Sequence, residues 1–358
     1  MKLRMFSVLL AATCACASPV VLADFSSVVI FGDSLSDTGN NAFVFDALGA
    51  AMTPPLAPGT LRTPVPTSDN TFIPELPYAA SVGGRYSNGP VWAEDFASAL
   101  GLNALASNLG GTDYAYGGAR MGPLGSPNPF QDFPNNFPPS VTTQAATFLG
   151  QHPQPPADAL YIVEGGGNDA RDILAQAQQD VMHGIDPTAD ILAGAEAYAR
   201  YAQNIVDELQ AAGAKNIIVW NTPDIGLTPD AIAEGGSAEA TAVASLMNSF
   251  LTQDLTNEIA QGARIFDVFD LVDAILADPE HYGLSPDITD ACSATANIAA
   301  CEAANFDYFF WDGIHPTATG QALFAEALVT FVPEPGAFAL LTLALVAMGA
   351  AAQRRTPS

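Results

Sequence analysis

Short apolar runs bounded by turn residues alternate along this chain with longer stretches of helical spacing. The runs lie at 27–31, 159–164, 216–220 and 265–269, with a shorter one near 113–116; the helical stretches lie at 92–100, 188–212, 238–260 and 318–331. Runs that are apolar at nearly every position suit strands covered on both faces, as in a parallel sheet, whereas half-exposed strands alternate apolar with polar. Strand following helix following strand predicts an α/β layered fold. Within 188–212, Leu192, Ala195, Tyr198, Ala202, Ile205 and Leu209 recur every three or four residues and Gly213 follows as a stop, so this helix is expected to cover one face of the sheet. With 49% hydrophobic residues in 358, the chain can bury a sizeable core.

No repeat of fixed period appears, and no shift of composition within 85–331 marks a second domain, so one large domain is expected. Two stretches break the pattern. One is 46–84, which holds Pro54, Pro55, Pro58, Pro64, Pro66, Pro74 and Pro77, and the other is 121–139. Both are too long for ordinary connections. They either roof a substrate site, as long loops on rigid α/β scaffolds do, or decorate the surface.

The two ends read as addresses. Lys2 and Arg4 precede an apolar run over 5–16, and Val21-Leu22-Ala23 offers small residues to a signal peptidase, so 1–23 is expected to be a signal peptide and the protein to be exported. The competing readings are a short buried helix and a lipoprotein signal; against the latter, Thr13 stands where Ala or Gly would precede a lipidated Cys14. At the other end the 17 residues 336–352 are uncharged and mostly apolar, and Arg354 and Arg355 follow. At about 1.5 Å per residue such a helix just crosses a bilayer core, with the arginines on the cytoplasmic flank. Pro333-Glu334-Pro335 precedes it, and the tail 332–358 resembles the bacterial PEP-CTERM sorting signal. That resemblance implies export across the inner membrane of a Gram-negative bacterium and processing by an exosortase; a plain membrane anchor is the alternative.

Without its ends, the part from about 24 to 332 carries 7 Lys plus Arg against 37 Asp plus Glu, a formal charge of −30. Such a surface repels phosphate backbones and anionic lipid, which disfavours nucleic-acid binding; solubility is the simpler consequence. Of the cysteines only Cys292 and Cys301 remain. In an oxidising compartment they are expected to pair, closing a short loop that stabilises by about 2 to 3 kcal/mol. Two thiols alone do not make a metal site.

In VVIFGDSLSDTGN, at 28–40, Ser34 follows an apolar run directly, which places it at the carboxyl end of a strand, where open α/β sheets gather their ligands. A serine nucleophile needs a base, and the chain offers His152, His183, His281 and His315. Spacing does not choose among them, since Asp180, Asp278 and Asp312 each stand three residues before a histidine. Context does: FFWDGIHPT contains Gly313 and Pro316 for a tight turn and leads into the last helical stretch with Thr317 as N-cap. There Asp312 can accept from Nδ1 of His315 and leave Nε2 free to take the serine proton. Asp180 and His183 read as a solvated helix face, and Asp278 and His281 as a turn. Acyl transfer also needs donors for the developing oxyanion. Asn168 in LYIVEGGGND and Gly118, or Gly117 beside it, in GTDYAYGGAR are the candidates.

These residues resemble the GDSL, or SGNH, hydrolases, serine esterases and lipases, over about 27–331. Gly32-Asp33-Ser34-Leu35 resembles the nucleophile block, Gly118 the glycine donor, Asn168 the Gly-x-Asn-Asp block, and Asp312 with His315 the Asp-x-x-His block. Further likeness to the extracellular members lies in 83–97, 220–229 and the Cys292 to Cys301 loop; Asp113 departs, standing where relatives often carry Asn. The resemblance implies a flavodoxin-like three-layer α/β/α fold around a parallel sheet and hydrolysis of a lipid or acylated-glycan ester. Ser34 would be the nucleophile, Asp312 and His315 the acid-base pair, and the Ser34 N–H, Gly118 N–H and Asn168 amide the oxyanion hole, with no metal or organic cofactor. A binding protein for exopolysaccharide that keeps only the scaffold is the rival from another class.

Overall fold

In the computed structural model, residues 25–55, 84–122, 137–285, 291–292 and 308–332 are described. The expected signal peptide, most of the 46–84 and 121–139 loops, Cys301 and the apolar tail lie outside them. Among the described residues no helix is long and apolar enough to cross a membrane. One unit spans Asp24–Val332.

In chain order the elements are β1 (Val28–Phe31), α1 (Asn40–Ala51), α2 (Trp92–Ala99), α3 (Val141–Gln151), β2 (Leu160–Val163), α4 (Gly167–Met182), α5 (Thr188–Ala212) and β3 (Asn216–Trp220). They continue with α6 (Pro229–Glu234), α7 (Ser237–Asp254), α8 (Thr256–Ala260), β4 (Arg264–Phe266), α9 (Val268–Ala277) and α10 (Ala318–Phe331). The strands form one parallel sheet in the order β1-β2-β3-β4, with Val28 opposite Leu160, Leu160 opposite Asn216 and Ile218 opposite Arg264.

Helices cover both faces, which is why β1 and β2 are buried at every position. Val29, Phe31, Tyr161, Val163, Ile217 and Val219 point to one side, into a core with Phe148 of α3, Tyr198 and Ile205 of α5 and Met247 of α7. On the other face Trp220 meets Trp92 of α2 at 4.5 Å and Phe324 of α10 at 5.9 Å between ring centroids. The result is a three-layer α/β/α sandwich around a parallel sheet.

The expected strand near 113–116 is not one. The segment runs beside β1, with Tyr114 N–H to Ile30 O at 2.8 Å and Tyr116 N–H to Gly32 O at 3.1 Å, but makes only isolated bridges. A turn closed by Ala119 N–H to Tyr116 O, 3.0 Å, carries the chain away. Counted as the second strand, it completes the flavodoxin-like order 2-1-3-4-5. The run at 265–269 is also cut short. Asp267 caps α9 by accepting from Asp270 N–H at 3.1 Å, and Asn221 Oδ1 accepts from Val268 and Phe269 N–H, so helix begins where strand was expected. The stretch 238–260 breaks at Leu255 into α7 and α8 without a Gly or Pro to announce it.

Candidate active site

The site is built where the loop after β1, the turn at 116–121, the start of α4 after β2 and the loop before α10 meet. The loop after β1 is held from below. Gln144 of α3 accepts from Gly32 N–H at 2.8 Å and donates to Gly32 O at 2.9 Å. Asp33 N–H and Ser36 Oγ both donate to Glu164 Oε2, at 3.0 and 2.8 Å. A side chain at Gly32 would come within 2.5 Å of that same oxygen, so the close approach requires glycine. Ser36 and Asp37 N–H fold back on Asp33 O, leaving Ser34 at the crest of a tight turn, 6% exposed.

Ser34 Oγ lies 2.7 Å from Nε2 of His315, and Nδ1 of His315 lies 2.7 Å from Oδ2 of Asp312. The second carboxylate oxygen of Asp312 accepts from the N–H groups of Ile314 and His315, at 2.8 and 2.6 Å, so the acid shapes the turn that presents its own histidine. Trp311 N–H to His315 O (2.7 Å) and Thr317 N–H to Phe309 O (2.8 Å) close the loop, and Thr317 caps α10. The ring of Tyr86 packs on that of His315, with centroids 5.4 Å apart. His183 is exposed at the end of α4, His281 sits in a short helical turn, and His152 ends α3 against Phe148; none of them faces Ser34.

The two donor candidates lie on segments stitched to each other. Asn168, in the first turn of α4, donates to Ala119 O at 3.0 Å and Asp33 Oδ2 at 3.2 Å. Met121 N–H donates to Asp169, and Arg120 forks onto Asp172 at 2.8 and 3.0 Å while its Nη1 donates to Gly118 O at 2.7 Å. Gly118 has φ +81°, a left-handed conformation that other residues adopt only with strain. The N–H of Gly117 is bound to Asp37 Oδ2 at 2.9 Å. The N–H groups of Ser34 and Gly118 have no hydrogen-bond partner among the described residues.

The run Ser36 to Asn40 shapes the loop after β1 through its own hydrogen bonds. Asp37 accepts from the N–H groups of Gly39, Asn40 and Asn41 as well as Gly117. Thr38 donates twice to Asp113, and Asn40 bridges Asp113 O and Ala115 O. Asp113 thus supplies an acceptor for Thr38 that an amide oxygen could equally provide.

Acids crowd beneath the site. Burial pushes Glu164 and Asp113 well above the usual carboxylate range, Asp37 to about 6 and Asp169 to about 7. Burial raises Asp33 too, against the opposing Leu35 N–H and the charges of His315 and Arg120. Glu164 holds the Ser34 loop, and the signal for it in the sequence is an acid ending an otherwise apolar run. Among the described residues no three His, Cys, Asp or Glu side chains are grouped to hold a metal ion.

Comparison with known proteins places this arrangement. The GDSL-like Lipase/Acylhydrolase family matches residues 28–328. A phosphatidylcholine-sterol acyltransferase of Aeromonas hydrophila is 26% identical, over 86% of this chain and 90% of its own. A GDSL esterase/lipase of Arabidopsis thaliana is 24% identical over 84% of each chain. Esterase EstA of Pseudomonas aeruginosa is 27% identical over 88% of this chain, which spans 48% of EstA. With the match running from β1 to α10, the chain belongs to the GDSL-like lipase/acylhydrolase family and is a carboxylic ester hydrolase.

Proposed function

We propose that the protein is an exported serine esterase that works through an acyl-enzyme on Ser34. The observation that carries this reading is the unbroken chain Ser34 Oγ, His315 Nε2, His315 Nδ1, Asp312 Oδ2, with 2.7 Å at both hydrogen bonds. Ser34 Oγ attacks the ester carbonyl while His315 takes its proton, and Asp312 holds the tautomer and stabilises the imidazolium. Collapse of the tetrahedral intermediate expels the alcohol, protonated by His315. Water activated by the same histidine then releases the acid.

The oxyanion is received by the N–H groups of Ser34 and Gly118 and by the amide of Asn168. The engagement of Gly117 N–H with Asp37 supports Gly118 over its neighbour. Asn168 would exchange its long contact to Asp33 for the oxyanion as charge develops. Fatty-acyl esters, phospholipids and acetylated polysaccharides all present the same carbonyl, and a panel of acyl chain lengths with an acetylated glycan ranks them.

Export rests on the basic start, apolar run and small-residue exit of 1–23, and sorting on Pro-Glu-Pro, the apolar stretch and the final arginines. In an exported protein Cys292, which packs with Tyr86 and Trp311, pairs with Cys301. The catalytic reading is tested with a fluorophosphonate probe and p-nitrophenyl esters. Wild type is expected to be labelled and active, and Ser34→Ala to lose both; full turnover by folded Ser34→Ala defeats the assignment.

A further inference from the structure

The peptide bond between Gly117 and Gly118 is trans, since the cis bonds among the described residues are Thr53-Pro54 and Phe137-Pro138. In a planar trans peptide the C=O and N–H point in opposite directions, so whatever holds the Gly117 carbonyl also aims the Gly118 N–H. Asn41 holds it: its Nδ2 donates to Gly117 O at 3.0 Å and to Tyr86 Oη at 2.5 Å. The side chain is 2% exposed, and its backbone N–H is itself anchored to Asp37, which also binds Gly117 N–H. The amide oxygen Oδ1 has no partner among the described residues, a cost of about 1–3 kcal/mol for a buried acceptor. A residue kept there for packing alone would not carry that cost; the donor side of the amide is the part in use.

We propose that Asn41 is a positioning residue that aims and polarises the Gly118 N–H toward the oxyanion. Accepting a hydrogen bond at Gly117 O draws electron density through the peptide and strengthens donation from the N–H at its other end. The Tyr86 contact ties the same amide to the ring that packs on His315, so the donor peptide and the base share one rigid support. This inference rests on the proposed role of Gly118.

The test is Asn41→Leu, which keeps the branched shape and has no donor, with Asn41→Ser, too short to reach the carbonyl, as the second variant if the bulkier first does not fold. Folding is checked by near-ultraviolet circular dichroism. The expected result is a kcat for p-nitrophenyl esters lowered by about tenfold to a hundredfold with KM within twofold, less than the loss from deleting a donor outright. Fluorophosphonate labelling slows by a similar factor, because its phosphoryl oxygen occupies the same hole. The acid limb of the kcat/KM profile stays in place. A kcat within twofold of wild type in a folded variant overturns the inference. So does a moved acid limb, which would mean that Asn41 acts through Tyr86 and the base. Ser34→Ala in the same assays separates the two levels: if it stays active the acyl-enzyme reading fails, and if it is inactive while Asn41→Leu is fully active only the role of Asn41 fails.

Discussion

At the scale of single residues, Ser34, Asp312 and His315 were legible because each sits in a short motif with local consequences. Asp312 reaches its histidine within one turn, so no long-range fold was needed to pair them. Asn168 and Gly118 were legible as candidates only, since a glycine-rich turn does not state which N–H is already bound. Asn168→Ala is expected to lower kcat by about a hundredfold or more, measured under saturating ester. Glu164 permits a sharper contrast. Glu164→Gln retains an acceptor for Asp33 N–H and Ser36 Oγ and is expected to fold with near-native stability. Glu164→Ala strands both donors and is expected to cost about 2–6 kcal/mol by urea titration, at roughly 1–3 for each.

At the scale of elements, periodicity sufficed where one face of a helix is apolar and its ends are punctuated. The stretches 188–212 and 318–331 were legible end to end, as α5 and α10, because Gly213 adopts φ 113° past the first and Thr317 caps the second. It failed where tertiary hydrogen bonds set the boundary. Helix α1 begins inside a turn-rich run because Asp37 gathers three successive N–H groups there, and β4 gives way to α9 under Asp267 and Asn221. Thr317→Ala removes the cap of the helix that starts three residues after His315 and is expected to lower stability by about 1 kcal/mol, read as a drop in Tm.

At the scale of the whole molecule, raised carboxyls govern the response to pH. Asp37 and Asp169 bind protons in the folded state, with values of about 6 and about 7, that the unfolded chain holds only below about pH 4. A raised folded-state value means the folded form is favoured when the group is protonated. That stability is complete below about pH 4 and is lost as pH rises through about 7. Tm is therefore expected to rise on acidification from pH 8 to pH 5, with Asp169→Asn flattening the slope between pH 6 and 8. A Tm that falls over that range in calorimetry contradicts the burial of these acids as protonated groups.

Alternating apolar runs, a strand-end serine and a local Asp-x-x-His turn are short-range features, and the sequence by itself determined the layered α/β class and the Asp312–His315 pair that meets Ser34. The tertiary structure alone decided which backbone donors at the site lack a partner among the described residues, which buried acid holds the Ser34 loop and which amide, Asn41, holds the Gly117 carbonyl 76 residues away in the chain. Those depend on contacts between loops from different strand ends, whose partners are chosen by packing in three dimensions and leave no periodic trace along the chain.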